Sequence, residues 1–176
     1  SQCDHYLGQV LDYMDSNNMW EDTMLIVNTD HGFLLGEHDW WAKCRMPFYY
    51  EIAHLPLFVW DPRVGCAGQR RSDLVQTIDL PPTLLDYFGI TIPSCMMGQP
   101  LRQVISKENT IRDAALFGIF GGHVNITDGR YVYMRAAKNG AINRPLYHYT
   151  QMPTHIDRLS RDEEMQTNAS EDAEQH

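Results

Sequence analysis

No stretch of this 176-residue chain approaches the roughly 20 consecutive apolar residues that a membrane-spanning helix requires. The opening Ser1-Gln2-Cys3-Asp4-His5 lacks the basic region and apolar stretch of a secretory signal, so none is expected here, and a cytoplasmic or an exported parent protein both fit. Positive charge is also scarce. Fourteen Lys and Arg face 23 Asp and Glu, for a formal net charge of −9. Such a balance argues against nucleic acid and against an anionic membrane as partners. The four cysteines, Cys3, Cys44, Cys66 and Cys95, are widely spaced and contain no Cys-x-x-Cys pair. A zinc site or a dense disulfide framework is therefore not expected, and scattered reduced thiols are.

The residues present suit a globular α/β chain. Helical spacing of Cys3, Leu7, Val10, Leu11 and Met14 predicts an amphipathic helix over 4–18, ended by Asp15-Ser16-Asn17-Asn18. Met24 to Thr29 is a short, branched, apolar run of the kind found in strands covered on both faces. A helix feeding such a strand suggests a layer with parallel strands. Leu57-Phe58-Val59-Trp60 is a second buried strand, stopped by Asp61-Pro62. Residues 30–50 read as a long functional loop. Asp79, with Pro81 and Pro82 behind it, looks like the cap of a helix burying Leu84, Leu85 and Phe88. Three short strands follow, Ala115–Phe120, Val124–Ile126 and Tyr131–Arg135, with the hairpin signal Asp128-Gly129 between the last two. The expected division is 1–105 as catalytic α/β domain, 106–160 as a small β-rich subdomain and 161–176 as a polar, disordered tail. Asn125-Ile126-Thr127 and Asn168-Ala169-Ser170 match the N-glycosylation triplet.

Thr29-Asp30-His31-Gly32 directly follows the first buried strand. Within a strand, neighbours such as Asp30 and His31 point to opposite faces. At a strand end, a bend at Gly32 lets a carboxylate and an imidazole converge on one divalent ion. Taken alone, an Asp-His-Gly is more often a turn cap beside a core histidine. Its surroundings decide otherwise. The string from Asp30 to Lys43 combines Asp-His-Gly, Leu-Gly-Glu-His and Trp-Ala-Lys. Pro56–Val59, the segment Asp73 to Asp86, and Gly98 with Leu101 then follow in order. This series resembles the sulfatase family of the alkaline phosphatase superfamily, and is closest to the iduronate-sulfatase-like group.

The resemblance implies part of an alkaline-phosphatase-like parallel-sheet sandwich with a small antiparallel C-terminal unit. It implies a metal-dependent hydrolase of sulfate esters. Asp30 and His31 would be two ligands of the divalent cation, calcium in most sulfatases, with manganese or magnesium also open because His31 is a nitrogen ligand. Lys43 would contact sulfate and leaving-group oxygens. His38 has two readings, a catalytic or pocket-lining residue, or one that orders its loop by bonding Glu37 or a backbone carbonyl. Trp40 and Trp41 would stack on a sugar or simply pack, and His123, beside Gly121 and Gly122, would reach the substrate rim. His54 reads as structural. The expected partner is a sulfated small molecule or sugar.

The family's nucleophile motif, Cys/Ser-x-Pro-x-Arg, has no counterpart at any of the four cysteines, and the paired N-terminal aspartates are also missing. The chain is therefore expected to be a fragment, inactive alone, whose formylglycine belongs to the missing N-terminal part of the same protein. Two alternatives stand beside this: a fragment of a related phosphodiesterase or phosphonate monoester hydrolase, and a non-catalytic binding module.

Overall fold

The first helix, α1, spans Gln2–Ser16 in the computed structural model, which describes residues 1–43, 48–118 and 122–136. Ser1 caps it, its hydroxyl accepting from the Asp4 amide, and Asp4 places negative charge in the first turn. Left-handed Asn18 stops it. The buried stripe is Leu7, Leu11 and Met14, at i, i+4 and i+7, whereas Cys3 and Val10 are exposed.

Strand β1 (Leu25–Asn28) pairs with β4 (Leu57–Trp60), reached through β2 (Leu34–Leu35), β3 (Trp41–Ala42) and the short helix α2 (Tyr50–Ala53). The pairing is antiparallel, from Leu25 opposite Trp60 to Asn28 opposite Leu57. The sequence suggests a layer with parallel strands, and this pair within it is antiparallel. Parallel strands are usually joined by a crossover helix, and the described part of this connection holds a small hairpin and one helical turn instead. Nor is this sheet covered on both faces among the described residues: Leu25 to Val27 are half-buried and Phe58 is exposed.

Beyond β4, Asp61 and Arg63 tie the strand to helix α3 (Leu80–Tyr87). Asp61 is buried and bonded through both carboxylate oxygens to the Arg63 guanidinium, which also reaches Asp86 at 2.9 Å. Burial pushes the Asp61 carboxyl up, but its hydrogen bonds to Arg63 and the charge of that residue outweigh burial and hold it below the usual carboxylate range. A depressed folded-state pKa means that the contribution of Asp61 to stability is complete above the unfolded value of about 3.9 and is lost as pH falls through the lower folded value. The melting temperature of the chain should therefore fall more steeply below about pH 4 than that of Asp61→Asn. Parallel acid profiles of the two would refute this assignment.

Helix α3 departs from the expected packing. Its buried residues are Pro82 and Thr83, and Leu84 and Phe88 are exposed. A polar lock sets the face: the Thr83 hydroxyl donates to the Asp79 carbonyl at 2.6 Å and accepts from the Leu101 amide at 3.0 Å. Asp79 stands at the N-cap position, but its side chain turns back to accept from the Gln76 amide. Helix α4 (Arg102–Ser106) follows, with Leu101 and Val104 buried and its last carbonyls bonded by Arg71.

Strands β5 (Ala115–Gly118), β6 (Val124–Thr127) and β7 (Val132–Arg135) form the antiparallel sheet expected from sequence. Asp128 builds the β6–β7 turn, its carboxylate accepting from the Arg130 and Tyr131 amides. Asn125 on β6 is fully buried, so its glycosylation triplet offers no acceptor in the folded chain. Phe117 of β5 and Tyr49 pack against the core cluster of Leu34, Phe48 and Ile52. The described residues fall within one unit, Ser1–Ala141. Asn168 and the expected tail 161–176 lie outside them, as does Cys44, while Cys3, Cys66 and Cys95 are free thiols. Among the described residues, no helix is long and apolar enough to cross a membrane.

Candidate metal and anion site

The chain leaves β1 at Asn28 and bends through Asp30, His31 and Gly32. The bend rests on α2. The Gly32 amide donates to the Ile52 carbonyl at 3.0 Å, and a Cβ at Gly32 would stand 1.8 Å from the Glu51 carbonyl oxygen. Only glycine permits that approach. The Thr29 hydroxyl bonds the His31 carbonyl, and the His31 amide bonds Asp30 Oδ1, which close the turn locally.

His31 Nδ1 lies 2.9 Å from the Gly32 carbonyl oxygen. A carbonyl only accepts, so Nδ1 carries the proton and the Nε2 lone pair is free to bind a cation. Around Nε2 stand Lys43 Nζ at 2.7 Å and Asp30 Oδ2 at 3.2 Å. With Nε2 unprotonated, Lys43 donates to it, and the 3.2 Å contact with Asp30 is a convergence of two donors of electron pairs. An anionic oxygen and an ammonium group thus flank one imidazole lone pair. The Asp30 side chain is 82% exposed and that of His31 35%, so the cluster opens to solvent.

Lys43 arrives at the end of the β2–β3 hairpin, in which Leu34 faces Ala42 and Leu35 faces Trp41. His38 lies at the tip of that hairpin. Its hydrogen bond goes to Glu51 rather than Glu37, with Nε2 3.2 Å from Oε2, and its ring stacks on Tyr49 at 3.8 Å. Glu37 instead accepts from the Leu35 amide, which holds its carboxyl below the usual range. Glu51 is a residue that sequence reasoning passed over. No local pattern singles out a glutamate 13 positions from its histidine partner. His54 stacks on Tyr50 at 4.4 Å. Trp40 is 38% and Trp41 70% exposed, both on the hairpin. His123 immediately precedes β6, half-buried, with its carbonyl against Gly118. The structure thus brings together Asp30, His31 and Lys43, and gives His38 partners on and just before α2.

Two protein donors supply only a share of the roughly six to eight ligands that calcium takes. Among the described residues, no group of three or more His, Cys, Asp or Glu side chains is placed to hold a metal ion. The pair fits a cation as part of a shell.

A family model described as "N-sulphoglucosamine sulphohydrolase, C-terminal" matches residues 36–171, which include His38 and Lys43 and begin just after His31. The chain belongs to this family. Members of the wider sulfatase group are similar to this chain over about 60% of its length. An N-acetylglucosamine-6-O-sulfatase of Bacteroides thetaiotaomicron is 33% identical over 105 residues, which are 60% of this chain and 18% of that protein. An arylsulfatase of Clostridium perfringens is 31% identical over 61% of this chain and 22% of its own length. The multifunctional alkaline phosphatase superfamily protein PehA of Trinickia caryophylli is 32% identical over 61% of this chain and 21% of its own. The matched segment thus spans about a fifth of these relatives.

Solved structures agree on the fold. A protein in complex with its substrate D-glucosamine-2-N,6-O-disulfate superposes with a TM-score of 0.63 at 22% identity, over 93% of this chain and 36% of that one. A phosphonate monoester hydrolase from Silicibacter pomeroyi superposes with a TM-score of 0.62 at 21% identity, over 94% and 38%. The chain is part of an alkaline-phosphatase-like α/β fold with a small antiparallel C-terminal unit.

Proposed function

We propose that residues 30–43 supply part of the active site of a metal-dependent sulfatase, completed by residues outside this chain. The observation that carries this reading is the convergence of Asp30 Oδ2 and Lys43 Nζ on the lone-pair nitrogen of His31. Asp30 and His31 would hold a divalent cation, calcium by family habit, with manganese or magnesium also suited to the nitrogen ligand. Bound there, the cation would supply Lewis-acid polarisation of an ester oxygen. The ammonium of Lys43 would orient sulfate oxygens and offset negative charge on the leaving oxygen. Lys43 donates to Nε2, so it would have to leave that atom for Asp30 and His31 to hold the cation, and its Nζ would then be available to the anion. Trp40 and His123 would line the substrate side, and His38 stands beside this machinery. The formylglycine nucleophile would come from the remainder of the longer protein, so the chain alone hydrolyses nothing.

A sulfated sugar is the proposed substrate class, supported by the N-acetylglucosamine-6-O-sulfatase relative and by the disulfated glucosamine of the superposed complex. The near-equal superposition on a phosphonate monoester hydrolase favours phosphate or phosphonate esters as the second reading. Side-by-side turnover of aryl sulfates and aryl phosphonates by the longer protein separates the two.

The cation reading can be tested on the chain itself. Titration with manganese should selectively broaden the ring resonances of His31 by paramagnetic relaxation. Asp30→Asn should weaken this by at least about tenfold in apparent affinity, or ~1.4 kcal/mol. Broadening that ignores Asp30→Asn, or that centres on other residues, would sink the assignment.

A further inference from the structure

Lys43 follows a hairpin that cannot hold its own shape. Strands β2 and β3 have two residues each, too short for independent stability. Three of its residues bearing a Cβ have positive φ: His38 at 57°, Asp39 at 59° and Ala42 at 118°. Such backbone persists only where the surroundings over-determine it. Ala42 is the residue directly before Lys43, so any relaxation of this strain re-aims the lysine.

Leu34 and His38 anchor the hairpin to residues outside it. Leu34, fully buried against Phe48 and Ile52, fixes its start. The His38 ring fixes its tip, stacked within 10° of parallel on Tyr49 and bonded to Glu51. Tyr49, Glu51 and Ile52 belong to α2 and its lead-in. The same short helix supports the His31 turn, through the Gly32–Ile52 hydrogen bond and the close approach of the Glu51 carbonyl. One helical turn is therefore the common reference for both partners of the Lys43–His31 pair.

We infer that Glu51 and His38 form a clamp that positions Lys43 against His31. Glu51 is a positioning residue. Its carboxylate grips the hairpin tip while its backbone sets the turn beneath His31. The bland alternative is a half-exposed ion pair, His38 being 40% and Glu51 37% exposed, which usually contributes little to stability. The clamp acts on geometry, and geometry is what its test reads. The inference rests on the site proposed above only for the use made of Lys43; the proximity of Lys43 to His31 is measurable without cation or substrate.

The experiment is nuclear magnetic resonance on the full chain with no cation added. The wild-type chain should show nuclear Overhauser effects between the Lys43 ε-methylene and the His31 ring. Glu51→Ala and His38→Ala should each abolish them, with the His31 Nε2 shift moving to that of a free imidazole and the β7 amide resonances unmoved. Glu51→Gln, which still accepts a hydrogen bond, should retain them. Persistence of the Overhauser effects in both alanine variants overturns the clamp. So does general unfolding of both, because a clamp on the hairpin tip leaves β7, two strands away from the β5 edge that meets the core cluster, intact. Manganese broadening of the wild-type chain separates the two ideas. If His31 does not broaden while Lys43 leaves it in the alanine variants, the cation reading alone fails. If His31 broadens while Lys43 stays beside it in those variants, the clamp alone fails.

Discussion

Asp79→Ala should destabilise the chain by about 3–5 kcal/mol, the cost of breaking a buried ion pair by removing one partner. Asp79 is fully buried and bonds three groups from three segments. Oδ2 accepts from the Gln76 amide at 2.7 Å, and Oδ1 accepts from the Gln99 amide at 2.9 Å and from the Arg112 guanidinium. Alanine leaves two amides and a nearly buried cation without their acceptor, and each buried unpaired group costs about 1–3 kcal/mol, more for the charge. Urea unfolding followed by circular dichroism measures the loss. In an Arg112→Met background the same substitution should cost less, since no cation is then orphaned. A loss below about 1 kcal/mol in the wild-type background would show that the network is wet or dispensable.

Gly32→Ala should damage both stability and site. The added Cβ meets the Glu51 carbonyl oxygen at 1.8 Å and Ile52 Cα at 2.8 Å. These are backbone atoms, so no side-chain rotation relieves the clash and α2 must move. Overpacking typically costs about 1–3 kcal/mol, and a clash against backbone belongs at the upper end or beyond. Moving α2 also breaks the Gly32–Ile52 hydrogen bond and shifts the support of His31 and of the hairpin that delivers Lys43. The expected result is a lower melting temperature together with loss of manganese broadening at His31. An alanine variant that melts like wild type would mean that the helix yields at no cost, and the close approach would then carry no functional weight.

Much of the site was legible as a string. Asp30-His31-Gly32 after a branched apolar run predicts a strand end where a carboxylate and an imidazole converge, and the turn has that geometry because its bonds join residues one or two positions apart. The Asp128-Gly129 hairpin was legible for the same reason, the Asp128 carboxylate closing the turn on the next few amides. The resemblance of the motif series brought Lys43 to His31 across a loop, where spacing alone does not reach.

Other features were hidden because their causes are distant in sequence. The exposure of Leu84 and Phe88 follows from the Thr83 bond to Leu101, 18 positions away. His38 chose Glu51 over the adjacent Glu37 because Glu37 was already engaged by the Leu35 amide and α2 offered a stacked ring and a carboxylate together. Asp79 reads as a helix cap from its neighbours, yet Gln99 and Arg112 draw its side chain into a buried junction.

By itself, the sequence determined the strand ends, the turns and the chemical types at the site, since these depend on spacing, on backbone freedom at glycine and on short-range hydrogen bonds. Only the tertiary structure decided that β1 and β4 run antiparallel, that α2 supports His31 and the hairpin together, and that Asp79 closes on Arg112. Each of these depends on which buried polar groups find partners once distant segments are packed, and no local pattern encodes that.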